Sequence, residues 1–306
     1  VGTFDLSANP YVMVSFEQFY MDYYEDVFVE VSTNGTAGPW TSYEVNADYL
    51  PNAYSPVNPV LTLVNISTQA GGQANVGVRF HYTGGWGWSW QIDDFALVEA
   101  YQNDLTISSA RFTSGTEGNE YYMIPTSQIT EFTFGSLIKS NGVVTQTNTY
   151  MHVTVDAGVE YDDVSGQLTN LAENVTDTFS IEVNGWTPSG VGTYDLDMIA
   201  VTDDFTDQLI ADNSTNLEPI VVGGNIYARD NGIIMGSFNG FTTTVGEPLE
   251  VGNTFEFFAN QSFGKVQIQL VEDGTPTNEG QLIYAAVYWW NAGASTFDLI
   301  TNSPDY

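Results

Sequence analysis

Apolar and polar residues alternate with a period of two along most of this chain. In the segment 76–82 the large apolar residues occupy the even positions, and glycine, arginine and histidine lie between them. The segments 27–31, 151–155, 179–183 and 266–270 repeat the pattern. Alternation of this kind predicts half-buried β-strands, whose successive side chains face the core and the solvent. No stretch of about 12 residues carries a capped helical stripe, so the sequence predicts an all-β protein.

Turn-forming dipeptides separate the predicted strands, and changes in the local sequence pattern divide the chain into units. The dipeptides are Asn34-Gly35, Gly71-Gly72, Asn141-Gly142, Asn184-Gly185, Gly223-Gly224 and Asp273-Gly274. The predicted units are 1–102, 103–224 and 225–306, with a short polar joint at 101–104. Both ends look cut, because the first unit supplies few strands before its tryptophan cluster and the last unit stops early. We therefore expect tandem β-sandwiches within a piece of a longer chain.

The charge balance restricts the possible partners of the chain more than its apolar content does. The 306 residues hold 38 Asp and Glu against 5 Lys and Arg, a formal net charge of −33. A surface of this sign repels phosphate backbones and anionic lipids, which excludes nucleic acid as a partner and favours cations. No cysteine is present, so disulfides and thiolate chemistry are excluded. No apolar run is long enough for a transmembrane helix. We expect an extracellular or cell-surface protein of a bacterium, without membrane insertion.

The segment 78–95 contains the most distinctive passage, VRFHY followed by GGWGWSWQIDDF. Upstream of it, FVEVSTNG at 28–35 is followed by Trp40. In this order the pieces resemble strands of the MAM-like, cleaved-adhesin or choice-of-anchor jelly rolls of secreted Bacteroidota proteins, the first passage being similar to their closing strands. The resemblance implies a jelly roll over 1–102 that lacks its opening strand or two.

The other two units resemble modules of the same kind of protein. In 103–224, the segment 122–128 and GTYDL at 192–196 resemble immunoglobulin-like or fibronectin-type spacers, which implies a late strand with a core tyrosine at Tyr194. A unit of this length with frequent turns suits one such sandwich. The unit 225–306 resembles a further, partial jelly roll. Bacteroidota proteins of this make-up are often cargo of the type IX secretion system, which implies a large secreted surface protein.

Catalysis is the function class that the sequence supports least. The chain has 2 histidines, His81 and His152, and each is predicted to face solvent on a different unit. Neither belongs to an HExxH zinc motif or a nucleophile elbow, and no cysteine can replace them. Paired carboxylates such as Asp93-Asp94 arise by chance among 38 acids, and neighbours on a strand point to opposite faces unless a bulge intervenes. We therefore expect a protein that is not an enzyme.

Calcium binding is the sharper hypothesis for the acidic residues. Ca²⁺ takes roughly six to eight oxygen ligands, which loops at strand ends commonly supply. Asp93 and Asp94 lie in the closing motif, and the resemblance implies Ca²⁺ near the chain ends of such jelly rolls. Glu25 and Asp26 precede an early strand and could meet that motif across the sandwich. The sequence therefore predicts a Ca²⁺ site built from Asp93, Asp94, Glu25 and Asp26.

A further acidic stretch lies near the joint between the later units. It holds Asp203, Asp204, Asp207 and Asp212. Its spacing does not match an EF-hand loop, which runs D-x-[DN]-x-[DN]-G. We interpret this stretch as a solvated loop.

Trp86, Trp88 and Trp90 recur at every second position and are predicted to share one face of a strand or extended turn. An inward face would make them core residues, each burying roughly 150–250 Å². An outward face would be a platform for sugars or partner proteins. Ile92 continues the same parity and favours the core, above all for Trp90, and we interpret the group as core. Trp86, beside several glycines, is the ring most expected to be exposed, and Tyr20, Tyr23 and Tyr24 pose the same alternative.

These observations predict a non-catalytic segment for adhesion or display in a large secreted bacterial surface protein, stabilised by Ca²⁺. Its expected partners are an extracellular glycan or protein ligand, and neighbouring copies or further domains of the same chain. One alternative is a carbohydrate-binding accessory region of a secreted hydrolase, with Trp86 or Tyr23 stacking on a sugar ring. Another is a subunit of a surface fibre, in which a neighbour's strand completes an open sandwich edge.

Overall fold

A computed structural model describes most of the chain. The described residues are 2–47, 49, 53–55, 57–84, 87–167, 170–230, 252–260, 262, 264–266 and 284–303. The chain divides into two compact units, Val1–Asn231 and Gly232–Tyr306. Among the described residues, no helix is long and apolar enough to cross a membrane. The described fold is almost entirely β-strand, as the alternation predicts.

The first sandwich consists of a four-stranded and a three-stranded antiparallel sheet. Its strands are β1 (Gly2–Phe4), β2 (Val12–Met21), β3 (Asp26–Ser32), β4 (Thr41–Val45), β5 (Val60–Asn65), β6 (Val76–Thr83) and β7 (Ser89–Glu99). The strand orders are β1-β6-β3-β4 and β5-β2-β7. A 3-10 turn, Gly35–Ala37, follows β3, and a one-turn helix, α1 (Ser67–Ala70), follows β5.

The period-two pattern produces the core of this sandwich. Val27, Val29 and Val31 on β3 are buried, and so are Val76 and Val78 on the neighbouring β6. They face apolar side chains of β2 across the sandwich, and the two sheets share one hydrophobic cluster. The strands predicted from alternation at 27–31 and 76–82 are therefore confirmed. Burial of these side chains stabilises the fold by roughly 1.5–3 kcal/mol for each large aliphatic residue.

The second sandwich places a three-stranded sheet against a four-stranded sheet, with a third small sheet beside them. Its strands are β8 (Leu105–Ser114), β9 (Met123–Ile124), β10 (Phe132–Ser140), β11 (Thr149–Val155), β12 (Tyr161–Val164), β13 (Thr176–Trp186), β14 (Gly192–Tyr194), β15 (Leu196–Thr202), β16 (Ser214–Asn216) and β17 (Ile220–Val222). The orders are β13-β10-β8, β12-β11-β15-β16 and β14-β17-β9. Short 3-10 turns occupy Thr126–Gln128, Asp156–Gly158 and Ile210–Asp212. Three strands on four is the arrangement expected of an immunoglobulin-like sandwich.

The predicted core tyrosine of the second sandwich is confirmed. Tyr194 is buried, and its ring centroid lies 4.9 Å from that of buried Trp186. The Tyr194 hydroxyl donates a hydrogen bond to the carbonyl oxygen of Gly190 at 2.9 Å. A phenol that bonds to backbone a few residues upstream fixes the entry of a strand into a sandwich.

The Asn184-Gly185 dipeptide, predicted as a turn between strands, lies inside β13. Asn184 has a φ of +57°, and the β10–β13 register shifts between Phe132 and Phe134. A Cβ atom on Gly185 would collide with the carbonyl oxygen of Phe132. The dipeptide therefore serves a strand irregularity, where positive φ and close backbone approach are also required. Val183 leaves the core face at the same point and is 73% exposed.

The second sandwich extends past the boundary predicted at 224/225. Ala228 forms a bridge with Met123, and Tyr227 stacks on Tyr121 with ring centroids 4.5 Å apart. In the second unit, β18 (Ala286–Asn291) and β19 (Thr296–Asn302) form an antiparallel hairpin. Most of the partial jelly roll predicted for 225–306 lies outside the described residues, including most of the predicted strand 266–270.

The joint between the first two sandwiches is held by side-chain hydrogen bonds. Asn65, fully buried at the end of β5, donates through Nδ2 to the carbonyl oxygen of Asn141 at 3.0 Å. Asn174 donates through Nδ2 to the carbonyl oxygen of Asn65 at 2.8 Å. The Thr68 hydroxyl donates to Glu173 at 2.7 Å. Since buried amides need their partners, these bonds favour one arrangement of the two sandwiches.

Glu30 is a buried carboxylate on the middle strand β3, and cross-strand neighbours surround it. Arg79 and His81 on β6 contact its two oxygens, with His81 Nδ1 3.0 Å from Oε1, and the Ser42 hydroxyl donates to Oε1 at 3.0 Å. The Arg79 guanidinium also lies 4.3 Å from the ring centre of Trp40. Burial alone would raise the pKa of Glu30, but the hydrogen bonds from Arg79, His81 and Ser42 lower it overall.

We predict that Glu30→Gln lowers the free energy of unfolding by about 1.5–3 kcal/mol at neutral pH, because it removes charge-assisted hydrogen bonds. The pKa of Glu30 is lowered in the folded state. Its contribution is therefore complete above the ordinary glutamate pKa of about 4.3 and is lost as the pH falls through the lowered value. Urea unfolding at a series of pH values should show the difference between wild type and variant shrinking in that acidic window.

The matched control is Glu44→Gln on the neighbouring strand β4, where the side chain is exposed. This variant should change stability by less than about 0.5 kcal/mol. A Glu30→Gln deficit that stays constant from neutral to acidic pH would contradict the ionic account.

Candidate functional site

Two loops meet at one end of the first sandwich. The β2–β3 loop carries Tyr23, Tyr24 and Glu25, and the β6–β7 loop carries Trp88. Glu25 joins them, because its Oε2 accepts from the Tyr24 amide at 3.0 Å and its Oε1 accepts from the Trp88 amide at 3.2 Å. We call the rings of Tyr23, Tyr24 and Trp88, with Glu25 beneath them, the aromatic corner.

The aromatic corner is open to solvent. Tyr24 is 77% exposed and Trp88 is 58% exposed. The Tyr23 ring lies between them, with centroids 4.5 Å from Tyr24 and 6.2 Å from Trp88, both in edge-to-face contact. Such contacts hold aromatic rings in place while leaving their other surfaces free. A cluster of this kind on loop ends is a typical binding surface.

A layer of polar side chains, with Tyr20, Asp22 and Glu25 buried and Tyr82 partly exposed, supports the aromatic corner. The Tyr20 hydroxyl donates to Asp22 Oδ1 at 2.9 Å and lies 3.2 Å from the carbonyl oxygen of Glu25. Burial, followed by the hydrogen bond and charge of Asp22, raises the pKa of Tyr20. Burial and then the charge of Glu25 raise the pKa of Tyr82, whose hydroxyl also bonds to Glu25. Both phenols therefore stay protonated and remain donors to carboxylates that no lysine or arginine contacts in the described structure.

Gly87 leaves the space that this layer needs. A Cβ atom at Gly87 would overlap the Tyr82 hydroxyl and the Glu25 carboxylate. Gly84, with a φ of +139°, brings the chain to within 3.0 Å of Glu25 Cβ when its own Cβ is built. The glycines around the tryptophans therefore allow the backbone to pass directly over a buried carboxylate.

The predicted calcium ligands lie in two different places. Glu25 is buried in the aromatic corner, and both its carboxylate oxygens accept backbone amides. Asp26 is exposed and begins β3. Asp93 and Asp94 are exposed on β7, where Asp93 is opposite Glu17.

A bulge does occur at the Asp93-Asp94 pair. The β2–β7 register shifts between Ser15 and Glu17, Asp94 has a φ of +48°, and its amide donates to Asp93 Oδ1 at 2.9 Å. Asp93 nevertheless lies four residues along β7 from Ser89, roughly 13 Å at 3.3 Å per residue. In the described part of the chain, no three His, Cys, Asp or Glu side chains are grouped so that they could hold a metal ion. Calcium at these four residues stays a prediction.

The tryptophans differ from one another. Trp86 lies outside the described residues. Trp90 packs against the core, with Phe80 at 5.5 Å, and its Nε1 donates to Gln18 at 2.6 Å, which agrees with the prediction. Trp88 is exposed, so the core interpretation is wrong for this ring. The parity argument fails there because Trp88 precedes β7, which begins at Ser89.

Neither histidine stands beside a nucleophile in the contacts observed. His81 Nδ1 lies 3.0 Å from Glu30, and His152 Nε2 lies 2.8 Å from Asp162. Both histidines are partly exposed, as expected. The sequence reasoning left the exposure of Tyr24 open, interpreted Trp88 as core and missed Glu25 as the backbone anchor of both. The run of aromatic residues around Glu25 was the available signal.

Comparisons with known proteins identify no family for this chain. No protein-family model matches the sequence, and no curated protein matches it either. A solution NMR structure of a CARDB domain from Pyrococcus furiosus aligns with 12% identity and a TM-score of 0.29. The alignment covers 40% of this chain and 97% of that domain. The likeness carries no argument about function.

We predict that Gly87→Ala destabilises the first sandwich by about 1–3 kcal/mol, because the added methyl group must displace Tyr82 and the Glu25 carboxylate. Urea unfolding measures the loss, and tryptophan fluorescence should report a changed environment for Trp88. Gly166→Ala is the matched control, since a Cβ there meets no atom within 4 Å. Equal stability of the two variants would contradict the packing described for this corner.

Proposed function

We propose that this chain is a non-catalytic extracellular segment for adhesion or display, part of a large secreted bacterial surface protein. The proposal includes the resemblance to Bacteroidota jelly rolls of the MAM-like or cleaved-adhesin type, joined to an immunoglobulin-like or fibronectin-type module and exported by type IX secretion. The observation that carries it is the aromatic corner, where Tyr24 and Trp88 are exposed at a loop end of a sandwich.

The support beneath the rings favours binding over incidental exposure. The amides of Tyr24 and Trp88 are fixed by one buried carboxylate, Glu25. Fixing a loop before binding reduces the conformational entropy that binding must remove. Aromatic side chains on such a fixed backbone supply a large contact area, which is why they dominate the energetics of recognition surfaces.

The net charge of the chain restricts the class of ligand. A net charge of −33 opposes the approach of anionic polymers. Neutral sugars present apolar ring faces that stack on aromatic side chains, and their hydroxyls can bond to carboxylates. This favours a neutral extracellular glycan as the ligand. The same observation favours the second candidate function, a carbohydrate-binding accessory region of a secreted hydrolase.

Calcium stabilisation is part of the proposal. The four residues predicted from the sequence do not share one location. Buried carboxylate and carboxamide oxygens in another part of the described fold have no hydrogen-bond partner there, and they support calcium stabilisation.

We predict that Trp88→Ala weakens binding to a neutral polysaccharide by about tenfold or more, the loss of roughly 1.4–2 kcal/mol that a contact residue of this type carries. Affinity electrophoresis against a panel of neutral polysaccharides, followed by calorimetry on the best of them, measures the effect. Tyr24→Ala should also weaken binding.

Tyr11→Ala is the matched control, because Tyr11 is 46% exposed on the same sandwich but lies outside the aromatic corner. This variant should bind as the wild type does. Circular dichroism confirms that each variant is folded. Unchanged binding in both Trp88→Ala and Tyr24→Ala, or no retention of the wild type on any neutral polysaccharide, would count against a glycan-binding corner.

A further inference from the structure

Acidic side chains converge at the beginning of β8, beside the joint between the first two sandwiches. Asp104 immediately precedes this strand. The Asp207 carboxylate accepts a hydrogen bond from the Leu105 amide at 2.7 Å, and the Thr106 hydroxyl donates to the carbonyl oxygen of Asp212 at 3.2 Å. The loop that carries Asp207 and Asp212 therefore lies over the first residues of β8. Asp203 and Asp204 are exposed, as expected of a solvated loop, whereas Asp207 and Asp212 are only partly exposed and interact with Asp104.

Asp104 is buried without a hydrogen-bond donor. Its relative exposure is 0%, and neither carboxylate oxygen has a partner among the described residues. Oδ1 of Asp212 is likewise buried and has no such partner. Burial, followed by the charges of Asp212 and Asp207, raises the pKa of Asp104 to about 8, although the charge of Lys139 opposes this. A divalent cation would give these buried oxygens the partner that they lack among the described residues.

A neutral oxygen lies on the same face. The amides of Asn141 and Gly142 donate to the carbonyl oxygen of Asp104 at 2.9 and 3.2 Å, which continues the β8–β10 pairing of Leu105 with Ser140. Residues directly opposite in an antiparallel pair project to the same face, with Cβ atoms about 4.5–5.5 Å apart. Asn141 Oδ1 is buried and has no partner among the described residues. A carboxamide oxygen is thus placed beside the Asp104 carboxylate.

We propose that Asp104, Asp212 and Asn141 bind a Ca²⁺ ion at the joint between the two sandwiches. Two carboxylates and a carboxamide are hard oxygen ligands, and backbone carbonyls or water complete the shell that Ca²⁺ requires. Asp207 is a neighbouring charge, since both its oxygens accept backbone amides. Mg²⁺ fits less well, because it demands near-octahedral geometry and keeps several of its waters.

Asn141 connects this site to the joint. Its carbonyl oxygen accepts the hydrogen bond from Asn65 of the first sandwich, while its side chain faces the ion. Ion binding therefore stiffens the contact between the sandwiches through one residue. This inference does not depend on glycan binding, because the site and the aromatic corner share no residue.

The experiment uses the full chain, treated with a chelator and dialysed into buffer of physiological salt. Calorimetric titration with CaCl₂ and thermal unfolding with and without millimolar Ca²⁺ are measured on wild type, Asp104→Asn, Asp212→Asn and the control Asp197→Asn, with MgCl₂ as the comparison ion. We expect Ca²⁺ to raise the Tm of the wild type by several degrees, and Mg²⁺ to do so less. In Asp104→Asn and Asp212→Asn the affinity should fall at least about 10–100-fold, the loss that even second-layer substitutions cause at metal sites.

Two readouts separate metal binding from a structural role. Without Ca²⁺, Asp104→Asn should unfold at or above the wild-type temperature, because it keeps the size of the side chain and replaces a buried carboxyl group that has no donor among the described residues. Asp197→Asn, at an exposed position on β15, should retain the full Ca²⁺ response. No Ca²⁺ response in the wild type would overturn the proposal. So would a normal response in both Asp104→Asn and Asp212→Asn, or loss of the response in Asp197→Asn alone.

Discussion

Burying carboxylates in a chain that has almost no cations is the constraint on which the rest of this structure depends. The chain has 38 acidic residues and 5 Lys and Arg. A buried charge without compensation costs several kcal/mol, so every acid that enters the interior needs donors from another source. Glu30 obtains an arginine together with a histidine and a serine. Glu25 obtains backbone amides instead, and Asp104 obtains no donor from the described residues.

Each of these solutions has a structural consequence. Glu30 on β3 ties three strands of one sheet together, because Arg79 and His81 on β6 and Ser42 on β4 all contact its carboxylate. The amides that Glu25 receives come from two different loops, so its charge fixes the loops to each other. Because hydrogen bonds to an ionised group are about twice as strong as neutral ones, the loop end gains rigidity that its glycines would otherwise reduce. Compensation of one buried acid thereby holds the exposed aromatic rings in place.

The strands could be predicted from the sequence, because a half-buried strand imposes its period on the residues directly. The failures have physical reasons. Asn184-Gly185 signals positive φ and close backbone approach, which a strand irregularity requires as much as a hairpin turn does. The alternation of tryptophans predicted a core position for Trp88 by assuming that Trp88 belongs to the strand. The strand begins one residue later, at Ser89.

The sequence could predict which residue types form the candidate site, but not which of those residues come together. Tyr23 and Glu25 were singled out for different roles, and only the fold shows that they belong to one corner. The partners of Asp104 lie in a loop that follows β15, far along the chain, so no local spacing could reveal them. Long-range convergence of this kind depends on strand order, which the periodicity of single strands does not encode.

The shortage of cations bears on the proposed function at the joint between the two sandwiches. Under the proposed function the aromatic corner is a binding surface. Its two sandwiches must then be held in one orientation, because free rotation between them would leave the aromatic corner without a fixed direction. Buried amides already favour one arrangement through Asn65 and Asn141. The same Asn141 lies opposite the least compensated carboxylate in the described structure, Asp104. Under the proposed calcium site, a chain with few cations of its own takes one from its surroundings at that point, and the calcium concentration then determines how firmly the modules are aligned.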